Sequence, residues 1–113
     1  MERDLGYLAD ILKAARKIER FAAGMSFEQF SGDDVIQSAI MYQFEIVGEA
    51  ARRVSTAFVV DHPELPWSKM VSMRNRLIHA YDDVDLHVLW NAVCISIPQL
   101  IRLVEPLIPP EED

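Results

Sequence analysis

From residue 3 to residue 23 the apolar positions Leu5, Leu8, Leu12, Ala15, Ile18 and Ala22 recur at steps of three and four, flanked by Ile11 and Phe21. That period predicts an amphipathic helix. Lys13, Arg16, Lys17 and Arg20 fall mostly on its other faces, as a solvated surface does, and Gly24 stands where the helix should end. Ser26-Phe27-Glu28-Gln29-Phe30 reads as a connector turn. Ser31 or Asp33 then caps a second long helix from about Asp33 to Ala57. Ile36, Ile40, Phe44, Val47, Ala51 and Val54 form one apolar stripe on it, and Val35, Ala39, Tyr42, Ile46 and Ala50 form another beside it. Two adjacent stripes are more than one neighbouring helix can cover, so this helix should pack inside the bundle and against a second subunit as well.

Two prolines in four residues interrupt the pattern at Asp61-His62-Pro63-Glu64-Leu65-Pro66-Trp67. Pro66 suits the first turn of a third helix carrying Trp67, Met70, Val71, Met73, Leu77 and Ile78 and ending between His79 and Asp82. Asp82-Asp83-Val84-Asp85 is a loop that also supplies a helix cap. Residues 86–108 are helical again, with Pro98 expected to kink or split them. The tail from Pro109 to Asp113 should fray. The predicted fold is a single all-α domain over residues 1–113, an up-and-down bundle of four to five helices with its last helix kinked at Pro98.

Composition narrows the chemistry. The chain has 113 residues, half of them apolar, and few glycines. Its lone cysteine, Cys94, cannot form an internal disulfide or a cysteine-based zinc site, and its apolar surroundings predict a buried side chain. The charged opening Met1-Glu2-Arg3-Asp4 is unlike a secretory leader, and no uninterrupted apolar run nears the roughly 18 residues of a membrane span. A cytoplasmic protein with no membrane contact is therefore expected. The net charge of −7 argues against nonspecific binding to a polyanion. Ala50 to Ala80, however, holds five basic residues against two acidic ones, a local +3 on a remainder of −10. A basic middle on an acidic body fits a local anion site, and equally the fluctuation of a short window. Phosphate-binding glycine loops, zinc-ligand spacings and Ser-His-Asp order are all missing from the sequence.

The stretch Met73-Arg74-Asn75-Arg76-Leu77-Ile78-His79-Ala80-Tyr81-Asp82 gathers two guanidinium groups, an amide, an imidazole and a phenol. RNA cleavage needs few parts. A group titrating near neutrality moves the proton of the 2′-hydroxyl or of the leaving oxygen, and a fixed cation offsets charge on the phosphoryl oxygens. His79 and Arg74 are of those two types, and with the 2′-hydroxyl as nucleophile no metal is demanded. On a helix Asn75 and His79 share a face, whereas Arg74 and His79 lie about 140° apart. Three arrangements would close that gap: a reaching Arg74, a distortion near His79, or facing copies from two subunits meeting on a two-fold axis.

Arg74-x4-His79-x-Tyr81 resembles the signature of HepT toxins within the wider HEPN group, where a polar residue such as Asn75 commonly follows the arginine. Arg74 to Tyr81, followed by Asp85-Leu86 and Val88-Leu89-Trp90, is similar to HepT throughout, as is Glu45-Ile46-Val47-Gly48-Glu49-Ala50-Ala51. The resemblance spans essentially the whole chain. It implies a metal-independent endoribonuclease toxin of a type VII-like toxin–antitoxin pair, acting as a homodimer. Such enzymes leave a 2′,3′-cyclic phosphate and a 5′-hydroxyl. By the same resemblance Arg74 and His79 are catalytic, and Asn75 and Tyr81 support the site. A minimal nucleotidyltransferase antitoxin of the MntA kind would transfer AMP from ATP onto Tyr81, placing bulk and negative charge beside Arg74 and His79. The chain itself would bind no cofactor, because the ATP belongs to the partner.

Plainer readings stand beside these. His79 also suits a helix terminus, where it would meet the last carbonyls. Arg76 reads as an ordinary surface charge, Tyr81 as an aromatic at a helix end, and Trp67 and Trp90 as core. His62 and His87 are given no role. Glu45 and Glu49 share a face and either pair with Arg52 and Arg53 or face the active groove, with the balance favouring surface pairing. The acidic charge supports an alternative function, a non-catalytic HEPN subunit that partners a minimal nucleotidyltransferase.

Overall fold

The computed structural model describes residues 2–110, which are helical or turn and contain no strand. Helix α1, Glu2–Ala22, buries Leu8, Ile11, Ala15 and Ile18 and stops at Gly24, whose φ of +76° is the left-handed conformation glycine tolerates best. The expected connector turn is a helix: α2, Phe27–Ser31, is held by a capping box in which the Ser26 hydroxyl accepts from Gln29 N–H and the Gln29 side chain accepts from Ser26 N–H. It buries Phe30, whose ring lies 4.8 Å from that of Trp90.

Asp33 rather than Ser31 caps α3, Asp34–Arg53, by accepting from Ile36 N–H. This helix is shorter than its apolar pattern predicts. Val54 is extended, and Ser55 caps a separate short helix α4, Thr56–Asp61. The break is tied down from far along the chain: the buried carboxylate of Asp4 accepts from Ser55 N–H at 2.8 Å and from its hydroxyl at 2.7 Å. A partner 51 residues away leaves no trace in local periodicity.

Helix α5, Trp67–Ala80, begins just after Pro66, whose carbonyl accepts from Met70 N–H; the proline thus precedes the first turn instead of lying in it. The Trp67 indole donates to the His62 carbonyl at 2.8 Å. A 3₁₀ turn, Tyr81–Asp83, follows, and Asp85 caps α6, Leu86–Asn91, by accepting from His87 and Val88 N–H. The expected disturbance near Pro98 takes the form of a π-helical segment, Ala92–Ser96, before α7, Ile97–Val104. Proline has no N–H for the carbonyl four residues back, and its ring crowds that carbonyl. Widening the preceding turn relieves both, and Ile97 N–H donates to the Ala92 carbonyl instead. A 3₁₀ turn, Glu105–Leu107, is paired to α1 through Arg16 and Glu105.

Within this frame α3 is central, with α1 on one side and α5 on the other, while α7 lies against α1. The molecule measures 41 × 33 × 20 Å, and its thin dimension is about two helix diameters. In so flat an assembly α3 keeps one long face open. The inner stripe is buried at Ile40, Phe44, Val47 and Ala51, whereas on the second stripe Val35 is 77% and Tyr42 60% exposed, with Ala39 and Ile46 half-buried.

Three expectations change. Cys94 is exposed, because it falls on the outer side of the π segment. Trp67 and Trp90 are half-buried at the core margin rather than within it. By length and mean hydropathy residues 86–107 would suffice to cross a membrane; Leu89, Val93, Ile97, Leu100 and Val104 are instead turned into the bundle core. The last three residues of the tail expected to fray lie outside the described residues.

The Ser55 hydroxyl bond holds the Asp4 carboxyl below its ordinary pKa near 3.8. A depressed folded-state pKa means that the stabilisation is complete at neutral pH and is lost as pH falls from about 4 toward the folded value. Asp4→Ala should therefore lower stability by about 2 kcal/mol at pH 7, as for a hydrogen-bonded charge. Urea denaturation at pH 7 and pH 3 should show the gap to wild type narrowing in acid.

Candidate active site

The site begins with a missing side chain. Gly48 sits on the face of α3 that meets α5, and a Cβ built there would lie 2.2 Å from Arg74 Cβ and 2.7 Å from the Met70 carbonyl oxygen. Only glycine permits so close a crossing. The crossing presses the stem of Arg74 against α3, so the arginine is less than a quarter exposed although its helix lies at the surface.

The next residue on α3 receives the guanidinium. Arg74 Nε lies 3.1 Å from Glu49 Oε2 as an ion pair, and Arg74 NH1 donates to Asn75 Oδ1 at 3.0 Å. The same carboxylate accepts from Arg52 at 2.7 Å and from Arg53 at 3.0 Å. Three guanidinium groups thus converge on one carboxylate. Bonds from Arg52 first, then Arg53, with Arg74 adding its charge, hold the Glu49 carboxyl at a pKa of about 2, so it is ionised through the whole neutral range. Glu49 thus makes the surface pairs that were favoured, and it also pairs with Arg74 across the helix crossing. Glu45 lines the same shallow groove, with Tyr7 and Asp10 reaching in from α1.

Asn75 and His79 are both exposed on successive turns of α5, on the shared face their spacing predicts. His79 occupies the last turn, toward the negative end of the helix dipole. Arg74 and Asn75 are brought together; His79 is not. It makes no hydrogen bond or ion pair to Arg74 within the chain and does not line the Arg74 groove. Of the three ways to unite them, helix distortion is not used before His79, since α5 is regular to Ala80. Tyr81 opens the 3₁₀ turn directly after α5, and its side chain lies outside the described residues.

Arg76 lines a different groove, between α5 and the C-terminal helices, and so keeps its reading as a separate surface charge. His62 and His87 stack on Phe58 and Phe27, with ring centroids 4.2 and 4.1 Å apart, which gives both structural work. Among the described residues no group of His, Cys, Asp and Glu is placed to hold a metal ion.

Sequence reasoning missed two things. The contact residues of α1, Tyr7 and Asp10, reach the groove through a long-range packing that carries no local signal. The role of Gly48 was available in principle, as a glycine inside an otherwise well-formed helix costs about 1 kcal/mol and so asks for a packing reason.

The family described as HepT-like ribonuclease matches residues 11–107. A "Probable ribonuclease HepT" of Thermococcus cleftensis is 45% identical over 89% of this chain and 92% of its own length. "Putative RNase MJ1380" of Methanocaldococcus jannaschii is 34% identical over 92% of this chain and 96% of its own, and "Putative RNase TTE0752" of Caldanaerobacter subterraneus is 32% identical over 94% and 95%. No solved structure matches the chain.

Gly48→Ala should force α3 and α5 apart and lower stability by about 2 kcal/mol, the usual scale of overpacking. Gly6→Ala, where an added Cβ meets nothing within 4 Å, should leave stability unchanged or slightly raised. Chemical denaturation of the two variants in parallel makes the comparison.

Proposed function

The chain belongs to the HepT-like ribonuclease family, and from that premise we propose that it is a metal-independent endoribonuclease acting at the exposed edge of α5. The observation that carries this reading is an Arg74 already held by Glu49 and Asn75, with Asn75 and His79 exposed on a shared face of the same helix. In the reaction the 2′-oxygen bonds to phosphorus and the bond from phosphorus to the 5′-oxygen breaks. The 2′-hydroxyl proton leaves and the 5′-oxygen gains one, giving a 2′,3′-cyclic phosphate and a 5′-hydroxyl. His79 moves protons at these oxygens, and the free edge of the Arg74 guanidinium takes up charge on the non-bridging oxygens. With the 2′-hydroxyl as internal nucleophile, no step calls for a metal.

A homodimer completes the site. The apolar stripe left open on α3, from Val35 through Tyr42, is the face that a second copy covers, which brings the Arg74 and His79 edges of two chains to one groove. The protein acts in the cytoplasm as the toxin of a toxin–antitoxin pair. A minimal nucleotidyltransferase neutralises it by moving AMP from ATP to the Tyr81 hydroxyl, with pyrophosphate leaving. The added phosphate sets a negative charge where an RNA phosphate must lie. The acidic net charge favours a second reading, a non-catalytic subunit that serves the nucleotidyltransferase.

Purified protein should cut single-stranded RNA to fragments ending in cyclic phosphate, in the presence of EDTA. His79→Ala and Arg74→Ala should each lose at least about 100-fold in kcat, the scale of removing a general acid–base group or an oxyanion donor. Equal cleavage by wild type and His79→Ala would eliminate this chemistry. Coexpression with a minimal nucleotidyltransferase should raise the intact mass by whole AMP increments, and Tyr81→Phe should show no increment.

A further inference from the structure

Among the described residues Arg74 is the one guanidinium reaching Glu49 from another helix. Arg52 and Arg53 stand three and four residues away on α3 itself and could pair with Glu49 in an isolated helix, whereas Arg74 meets it only because α5 crosses at Gly48. The contact is also selective in its atoms. Glu49 engages Nε, and Asn75 takes a proton of NH1. A guanidinium has five N–H donors in a rigid plane, so fixing these two leaves NH2 and the second proton of NH1 as an oriented outer edge. The groove around the contact is lined by Ile46, Ala50 and Ile78 as well as by charge.

We infer that Glu49 is the positioning residue for Arg74: with Asn75 it fixes the guanidinium plane so that the free edge is presented to an RNA phosphate. This rests on the ribonuclease reading above. Glu49 does not touch substrate and acts only through Arg74. Its benefit is orientation that is in place before substrate arrives. Its cost is a negative charge near the position of a bound phosphate, offset by Arg52 and Arg53 on the same carboxylate.

That pairing of benefit and cost gives a signature that simple loss of structure does not. Glu49→Gln keeps the shape of the side chain and removes its charge. It should lower kcat on single-stranded RNA by about 10- to 100-fold, as for a misplaced transition-state group, while KM stays level or falls because repulsion is relieved. Glu49→Asp, which keeps the carboxylate on a shorter stem, should recover part of the lost kcat. The double variant Arg52→Gln, Arg53→Gln should keep kcat within about threefold of wild type, since Arg74 retains its carboxylate. The same proteins carry a readout free of catalysis: ¹⁵N NMR of the Arg74 side chain should show slow rotation about the Nε–Cζ bond in wild type and faster rotation in Glu49→Gln.

A kcat for Glu49→Gln within threefold of wild type, or a rise in KM with kcat unchanged, overturns the proposal. If the wild type cleaves no RNA, it is the ribonuclease reading that fails, and the NMR arm alone decides the clamp. Faster Arg74 rotation in Glu49→Gln then upholds it, and an unchanged rate removes it.

Discussion

The crossing of α3 and α5 at Gly48 is the constraint on which the rest depends. Helices usually pack with their axes some 8–10 Å apart, at a distance set by the side chains between them. Here the side chain of α3 is absent at the crossing, and the stem of Arg74 takes its place. A long, flexible and charged residue thereby acquires a fixed root. Its neighbour Glu49 meets the charge at the other end of that side chain. Packing at one end and charge at the other thus define a guanidinium that would otherwise sweep a wide volume of solvent.

The overall charge follows a related logic. A chain with net charge −7 has little general attraction for a polyanion, and its positive character is gathered where α3 ends and α5 passes. There three guanidinium groups share one carboxylate, and Asp10 and Glu45 line the same groove.

Much of this was legible in the sequence. The long helices, their inner stripes, the cap at Asp85 and the trouble at Pro98 all follow from spacing within one element. What failed to show depended on partners far away in the chain. The apolar stripe of α3 runs on past Arg53, yet the helix stops there because Asp4 captures Ser55. Local pattern placed Cys94 inside, but the widened turn before Pro98 rotates it outward. In the candidate site the shared face of Asn75 and His79 could be read directly from their spacing. The contribution of α1, Tyr7 and Asp10, could not, since it exists only after three helices have assembled.

The π segment between α6 and α7 divides what would otherwise be one stiff rod. Phe30 of α2 packs at a tilt on Trp90 of α6, and Phe27 stacks on His87 of the same helix, whereas α7 is packed along α1. The wide turn lies between these two attachments. The helical rod thus has two separate anchorages, α6 on the short helix α2 and α7 on α1, with the change of pitch falling between them.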